Sequence, residues 1–93
     1  RSDLPQVHNN LGGILLNQGD SDGAIRHYVE ALKIDPHQAR VYNNLGIAFI
    51  RKGRTGQAVR CFERALQEDP GYRDARNNLE KVKRKLQAKT MSP

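Results

Sequence analysis

His8-Asn9-Asn10-Leu11-Gly12, Tyr42-Asn43-Asn44-Leu45-Gly46 and Arg76-Asn77-Asn78-Leu79-Glu80 are one phrase written three times, at a constant step of 34 residues. A fixed step of this size marks a stacked array, in which each unit buries its apolar face against its neighbours rather than inside itself. Working outward from the phrase, residues 5–38 and 39–72 align without a gap. They share Val7/Val41, Asn9/Asn43, Asn10/Asn44, Leu11/Leu45, Gly12/Gly46, Gly19/Gly53, Ala24/Ala58, Arg26/Arg60, Ala31/Ala65, Leu32/Leu66, Asp35/Asp69 and Pro36/Pro70.

Inside each unit the apolar spacing is helical. Val7, Leu11, Ile14 and Leu15 form the stripe of a first helix from Pro5 to Gln18, with Pro5 in the tolerated first turn and Asp3 near enough to cap it. Gly19 supplies a left-handed stop, and Asp20 or Ser21 caps a second helix, Asp22 to Ile34, whose inward face is Ala24, Ile25, Tyr28, Ala31 and Leu32. Asp35-Pro36 ends it. The cycle then repeats, with Val41, Leu45, Ala48 and Phe49 inward on a helix from Ala39 to Lys52. After the Gly53 break, Ala58, Val59, Phe62, Ala65 and Leu66 face inward on a helix from Thr55 to Glu68. Gly12 and Gly46 are expected to lie against Ala24 and Ala58, where two helices approach closely.

The third unit departs from the pattern after Leu79. Glu80 stands where the glycine should be, and no second helix follows. Ala75, Leu79, Val82 and Leu86 make one narrow apolar stripe, while Arg73, Arg76, Lys81, Lys83, Arg84, Lys85 and Lys89 cover the remainder. One apolar side and one charged side suit a terminal helix that meets the array on one face and water on the other. It should run to Lys89, leaving Thr90 to Pro93 as a frayed tail.

Composition narrows the function. Two Phe, three Tyr and no Trp leave the core to Leu, Ile, Val and Ala, which points to an all-α fold. The net charge of +6 is uneven: residues 1–70 hold nine basic and eight acidic side chains, residues 71–93 seven and two. A basic last helix without stacking aromatics argues against nucleic acid as the partner. Cys61 is the sole cysteine, so neither an intrachain disulfide nor a cysteine-based metal site can form, and it reads as a small half-buried hydrophobe rather than a nucleophile. His8, His27 and His37 occupy unlike positions of the repeat and lack a second ligand at helical spacing, so neither a metal nor a cofactor is expected. No phosphate loop, catalytic triad or carboxylate pair is visible; the expectation is a protein that is not an enzyme and takes no small-molecule substrate. No apolar run approaches membrane-spanning length. The start at Arg1 reads as an excised piece of a larger protein that could itself be membrane-attached, with the compartment open and cytoplasm the default.

The pattern resembles the tetratricopeptide repeat (TPR) family, whose unit is an antiparallel helix pair. Tyr42, Leu45, Gly46, Phe49, Gly53, Ala58, Phe62, Ala65 and Pro70 match its signature in the second unit. Leu11, Gly12, Ala24, Tyr28, Ala31 and Pro36 match in the first, where His8 and Leu15 replace aromatics. The resemblance implies a right-handed array of five helices, divided as a lead at 1–4, repeats at 5–38 and 39–72, a capping helix at 73–89 and a tail at 90–93.

If the array coils as TPR arrays do, the first helix of each pair lines a concave groove. Asn10, Asn44 and Asn78 then form a ladder, with Asn9, Asn43, Arg40, Arg51, Lys81 and Lys85 around it. A primary amide can hydrogen-bond both groups of an extended peptide backbone whatever its sequence. The basic neighbours favour an acidic segment or a free C-terminal carboxylate. The competing account, amides copied by duplication and idle in solvent, is weaker because asparagine is a poor helix former. TPR co-chaperones that clamp a C-terminal carboxylate use a different residue set; the corresponding positions here are Asn9, Gly13, Asn44, Asp74 and Asn78, and only Asn44 fits. The expected function is therefore a peptide-binding or scaffold module. The alternatives are a substrate-presenting domain of a larger enzyme such as a glycosyltransferase, and a chain that pairs with itself through the first helix as a weak homodimer.

Overall fold

Two glycines with positive φ, Gly19 at 85° and Gly53 at 74°, turn the chain back on itself at equivalent points of the two repeats. They are stop signals in the conformation that other residues adopt only with strain. The computed structural model describes residues 4–91 as five helices: α1 (Pro5–Asn17), α2 (Ser21–Ile34), α3 (Ala39–Arg51), α4 (Thr55–Glu68) and α5 (Arg73–Met91). α1 pairs with α2 and α3 with α4, while α2 meets α3 and α4 meets α5, giving a slab of 53 × 28 × 17 Å.

Start and stop signals act as their residues dictate. The Asp20 carboxylate accepts from the Gly23 N–H at 2.8 Å and caps α2. α1 begins after Leu4 without a side-chain cap, and the Asp3 expected there falls outside the described residues. α2 and α4 end at Asp35 and Asp69, whose carboxylates accept from the N–H two residues on, across Pro36 and Pro70. Tyr42 then donates its hydroxyl to the Pro36 carbonyl at 2.8 Å. Arg76, at Tyr42's position one unit later, donates its guanidinium to the Pro70 carbonyl at 2.6 Å. Two unlike side chains make the same clasp between one unit and the next.

Three expectations need correcting. First, the tightest contacts of the glycines in the repeated phrase are with aromatic rings, where Ala24 and Ala58 were expected. A Cβ on Gly12 would lie 2.5–2.8 Å from the Tyr28 ring, and one on Gly46 at the same distances from Phe62. Second, the stripe on α1 is half open: Leu11 is 39% and Ile14 54% exposed, whereas Gly12 and Leu16 are buried. Their counterparts Leu45 and Ala48 are buried against α2, and Leu79 and Val82 against α4. Among the described residues nothing occupies the corresponding place in front of α1. Third, α5 continues past Lys89 to Met91, taking in part of the expected tail, of which residues 92–93 lie outside the described residues.

The ring contact makes opposite outcomes of one substitution. Gly46→Ala drives a methyl into a Phe62 ring that is 1% exposed, so we expect a loss of about 1–3 kcal/mol despite the better helix propensity of alanine. Gly56→Ala, at the start of α4 and facing open space, should gain about 0.5–1 kcal/mol. Urea unfolding of both variants checks the pair; equal effects would remove the ring contact as the reason for the glycine.

Candidate functional site

Asparagines recur twice in each phrase because they do two jobs. Asn43 is the one buried polar side chain among the described residues, 4% exposed, and its Oδ1 accepts from the Asn78 amide at 2.9 Å. Asn9 Oδ1 accepts from the Asn44 amide in the same way at 3.1 Å. The first asparagine of one unit thus orients the second asparagine of the next, 35 residues on. Asn44 and Asn78, both half-buried, each keep an Oδ1 and one further N–H beyond this bond. Asn10, the first rung, has no preceding partner in the described structure and is exposed, as is Asn77.

The four basic residues of the expected site separate. Arg51 donates to the Leu16 carbonyl at 2.7 Å, tying α3 to the end of α1. Arg40 is exposed in the first turn of α3. Lys81 and Lys85 stand with Asn78 on the rim of a groove of ≈ 350 Å³ between α3 and α5. Its floor is Ile47, Ile50, Phe62, Val82 and Leu86, and Thr55 and Lys89 complete the lining. The structure therefore joins Asn78, Lys81 and Lys85 in one place and leaves Asn10, Arg40 and Arg51 off that lining. Sequence reasoning missed the floor. Its signal was Leu86, an apolar residue 34 positions after Lys52, facing a groove instead of a helix.

Three sets of titratable side chains lie apart from the groove. His8 and His27, which lack a second ligand at helical spacing along either helix, stack on each other at 5.4 Å between ring centroids with their Nδ1 atoms 3.1 Å apart, one donating and the other accepting. A separation of 19 residues across two helices hid this pair, and no group of three or more metal-ligating side chains exists among the described residues. Glu68 accepts from His37 at 3.0 Å, which, with the nearby His37 and Arg64 charges, holds its carboxyl below the usual value. Asp22 is lowered by its hydrogen bond to Lys52 and then by that residue's charge.

Cys61 is buried in α4, and loss of solvation pushes its thiol up to about 11, Arg60 opposing weakly. That leaves about 100-fold less thiolate at neutral pH than an ordinary cysteine offers. Native protein should accordingly react with a disulfide reagent roughly 100-fold more slowly than protein unfolded in urea. Equal rates in the two states would contradict a buried, protonated thiol.

A family model described as tetratricopeptide repeat matches residues 3–67. No curated protein matches the chain. Among solved structures, the TPR2B domain of yeast Sti1 in complex with pHsp70 superimposes with a TM-score of 0.85 at 21% identity, covering 88% of this chain and 66% of that one. The first TPR of Spaghetti (RPAP3), bound to the HSP90 peptide SRMEEVD, gives 0.85 at 21% identity, covering 88% and 65%. The chain thus spans slightly under two thirds of either structure, and at this identity the likeness is one of fold.

Proposed function

Because the chain belongs to the tetratricopeptide repeat family, we propose that it is a non-catalytic protein-interaction module whose inner surface holds an extended peptide. The observation that carries this reading is the pairing of Asn44 with Asn9 and of Asn78 with Asn43. An amide fixed by one hydrogen bond loses little further rotamer freedom when a peptide backbone takes up its remaining donor and acceptor, so binding costs less. Lys81 and Lys85 beside Asn78 add charge for an acidic segment or a terminal carboxylate. The peptide-bearing complexes of similar fold support a peptide as the ligand class.

Amide NMR of the labelled protein, titrated with a mixture of extended peptides that includes acidic members and members with free C-terminal carboxylates, tests the proposal. Shifts should centre on Asn44, Asn78, Lys81 and Lys85. Asn44→Ala should weaken binding by about 1–2 kcal/mol, near tenfold, through loss of a backbone contact. Shifts confined to the solvent side of α5, or an Asn44→Ala variant that binds unchanged, would defeat the ladder.

The exposure of Leu11 and Ile14 favours a second use of the chain, self-pairing through α1. Leu11→Glu should then shift a dimer to monomer in light scattering. A monomeric mass over a wide concentration range in the unaltered protein would dispose of it.

A further inference from the structure

The positions that line the groove between α3 and α5 have counterparts 34 residues earlier, at the boundary between α1 and α3. The earlier boundary is bridged. Arg51 reaches back to the Leu16 carbonyl, and Lys52 is paired with Asp22 across the unit boundary. At the later boundary both bridges are gone. Lys85 replaces Arg51 and makes no hydrogen bond or ion pair among the described residues, Leu86 replaces Lys52, and Gly56 replaces Asp22. What remains is the ≈ 350 Å³ groove with its apolar floor.

Building on the reading of the chain as a peptide-binding module, we infer that this groove is its specific site, and that its ligand is an internal acidic segment in which carboxylates alternate with large apolar side chains.

Charge and spacing carry the choice of occupant. Lys81, Lys85 and Lys89 line one edge, exposed and without an ion pair among the described residues. They lie one helical turn apart, so their Cα atoms are spaced by about 6 Å. An extended peptide advances about 6.6 Å for every two residues, so carboxylates at alternate positions fall opposite successive lysines. The residues between them project the other way, toward the floor of Ile47, Ile50, Val82 and Leu86. A groove of this volume sits at the lower end of ordinary ligand pockets and takes one or two large apolar side chains. The Asn78 amide, steadied by Asn43, stands on the rim where it can take a backbone group of such a segment. Nothing in this arrangement needs a free C-terminal carboxylate. A lone basic face would attract any polyanion; the apolar floor makes an apolar residue part of the demand.

The test uses a fluorescein-labelled pentapeptide, Glu-Leu-Glu-Phe-Glu, blocked at both ends and read by fluorescence anisotropy against the whole chain. Two control peptides replace either every glutamate by glutamine or both apolar residues by serine. We expect at least a tenfold weakening for each control. Gly56→Asp combined with Leu86→Lys rebuilds at the later boundary the ion pair found at the earlier one, at two positions where the fold tolerates change: Gly56 faces open space and Leu86 is 41% exposed. This variant should keep its helical circular dichroism and melting temperature while losing at least tenfold in affinity. Lys81→Gln with Lys85→Gln should lose a similar amount and flatten the salt dependence. Undiminished binding by the rebuilt variant, or equal binding of the glutamine control, overturns the inference. If the blocked peptide fails but other peptides still shift Asn44 and Asn78, the groove assignment falls and the interaction module stands. If no peptide shifts either asparagine, the module reading falls as well.

Discussion

A ring pressed against a bare backbone sets the geometry of each unit. Tyr28 lies on Gly12 and Phe62 on Gly46, so close that no side chain larger than hydrogen fits. The rings are 1% exposed and form the largest fully buried side chains of their helices, which makes them the pivot on which each antiparallel pair turns. Ala24, Ala31, Ala58 and Ala65, all fully buried, let the rest of the two helices close around that pivot. Where the glycine becomes Glu80, no ring can enter. α5 presents Arg76, Glu80 and Lys83 on the side where a partner helix would lie, and all three are exposed. At α5 the hydrogen-sized gap that seats the ring in the other two units is lost.

Between units a second contact takes over. Val41, Leu45 and Ala48 of α3 lie buried against the preceding pair, as Ala75, Leu79 and Val82 of α5 do one unit later. Three apolar residues at i, i+4 and i+7 would by themselves allow helices to slide by a turn. The Asn9–Asn44 and Asn43–Asn78 bonds forbid it, because a shifted register would leave a buried amide without its partner. Burial drives the stacking and the amides fix its register. Asn78 is thereby held at the groove it lines, so its structural role and its proposed binding role rest on the same bond.

The fold was legible in the sequence because its determinants are local and repeated. Helix stops at Gly19, Asp35, Gly53 and Asp69, and an apolar spacing of 3.6 residues, need no knowledge of distant contacts. What escaped is what depends on pairing across the array. Leu11 and Leu45 are the same residue in the same local pattern, yet one is 39% exposed and the other 6%, because only the second has a helix in front of it. The His8–His27 stack, the ring opposite each glycine and the floor of the groove all join residues from different helices, and no spacing along one helix reveals them. Of the nine residues expected at the site, Asn78, Lys81 and Lys85 share a lining, and Arg51 is spent on a backbone carbonyl.

A repeat array offers an internal control that an ordinary domain lacks, because it states the common solution more than once. Positions that agree between units, such as Gly12 with Gly46 or Asn9 with Asn43, are those the stack itself requires. Positions that differ are free of that requirement. Lys52 against Leu86, Asp22 against Gly56 and Ile47 against Lys81 all differ: Lys52 and Asp22 form an ion pair between the first two units, whereas Lys81 and Leu86 line the groove. Between the first two units opposite charges meet in the Lys52–Asp22 pair. At the second boundary that pair is lost whole, while Lys85 keeps the charge of Arg51, and Lys81 and Lys89 stand in place of Ile47 and Thr55. An exposed ion pair is worth little to stability in either state, so its loss costs the fold almost nothing. Lys81, Lys85 and Lys89 put positive charge on the rim of an apolar floor, and such a rim favours a partner that brings carboxylates of its own.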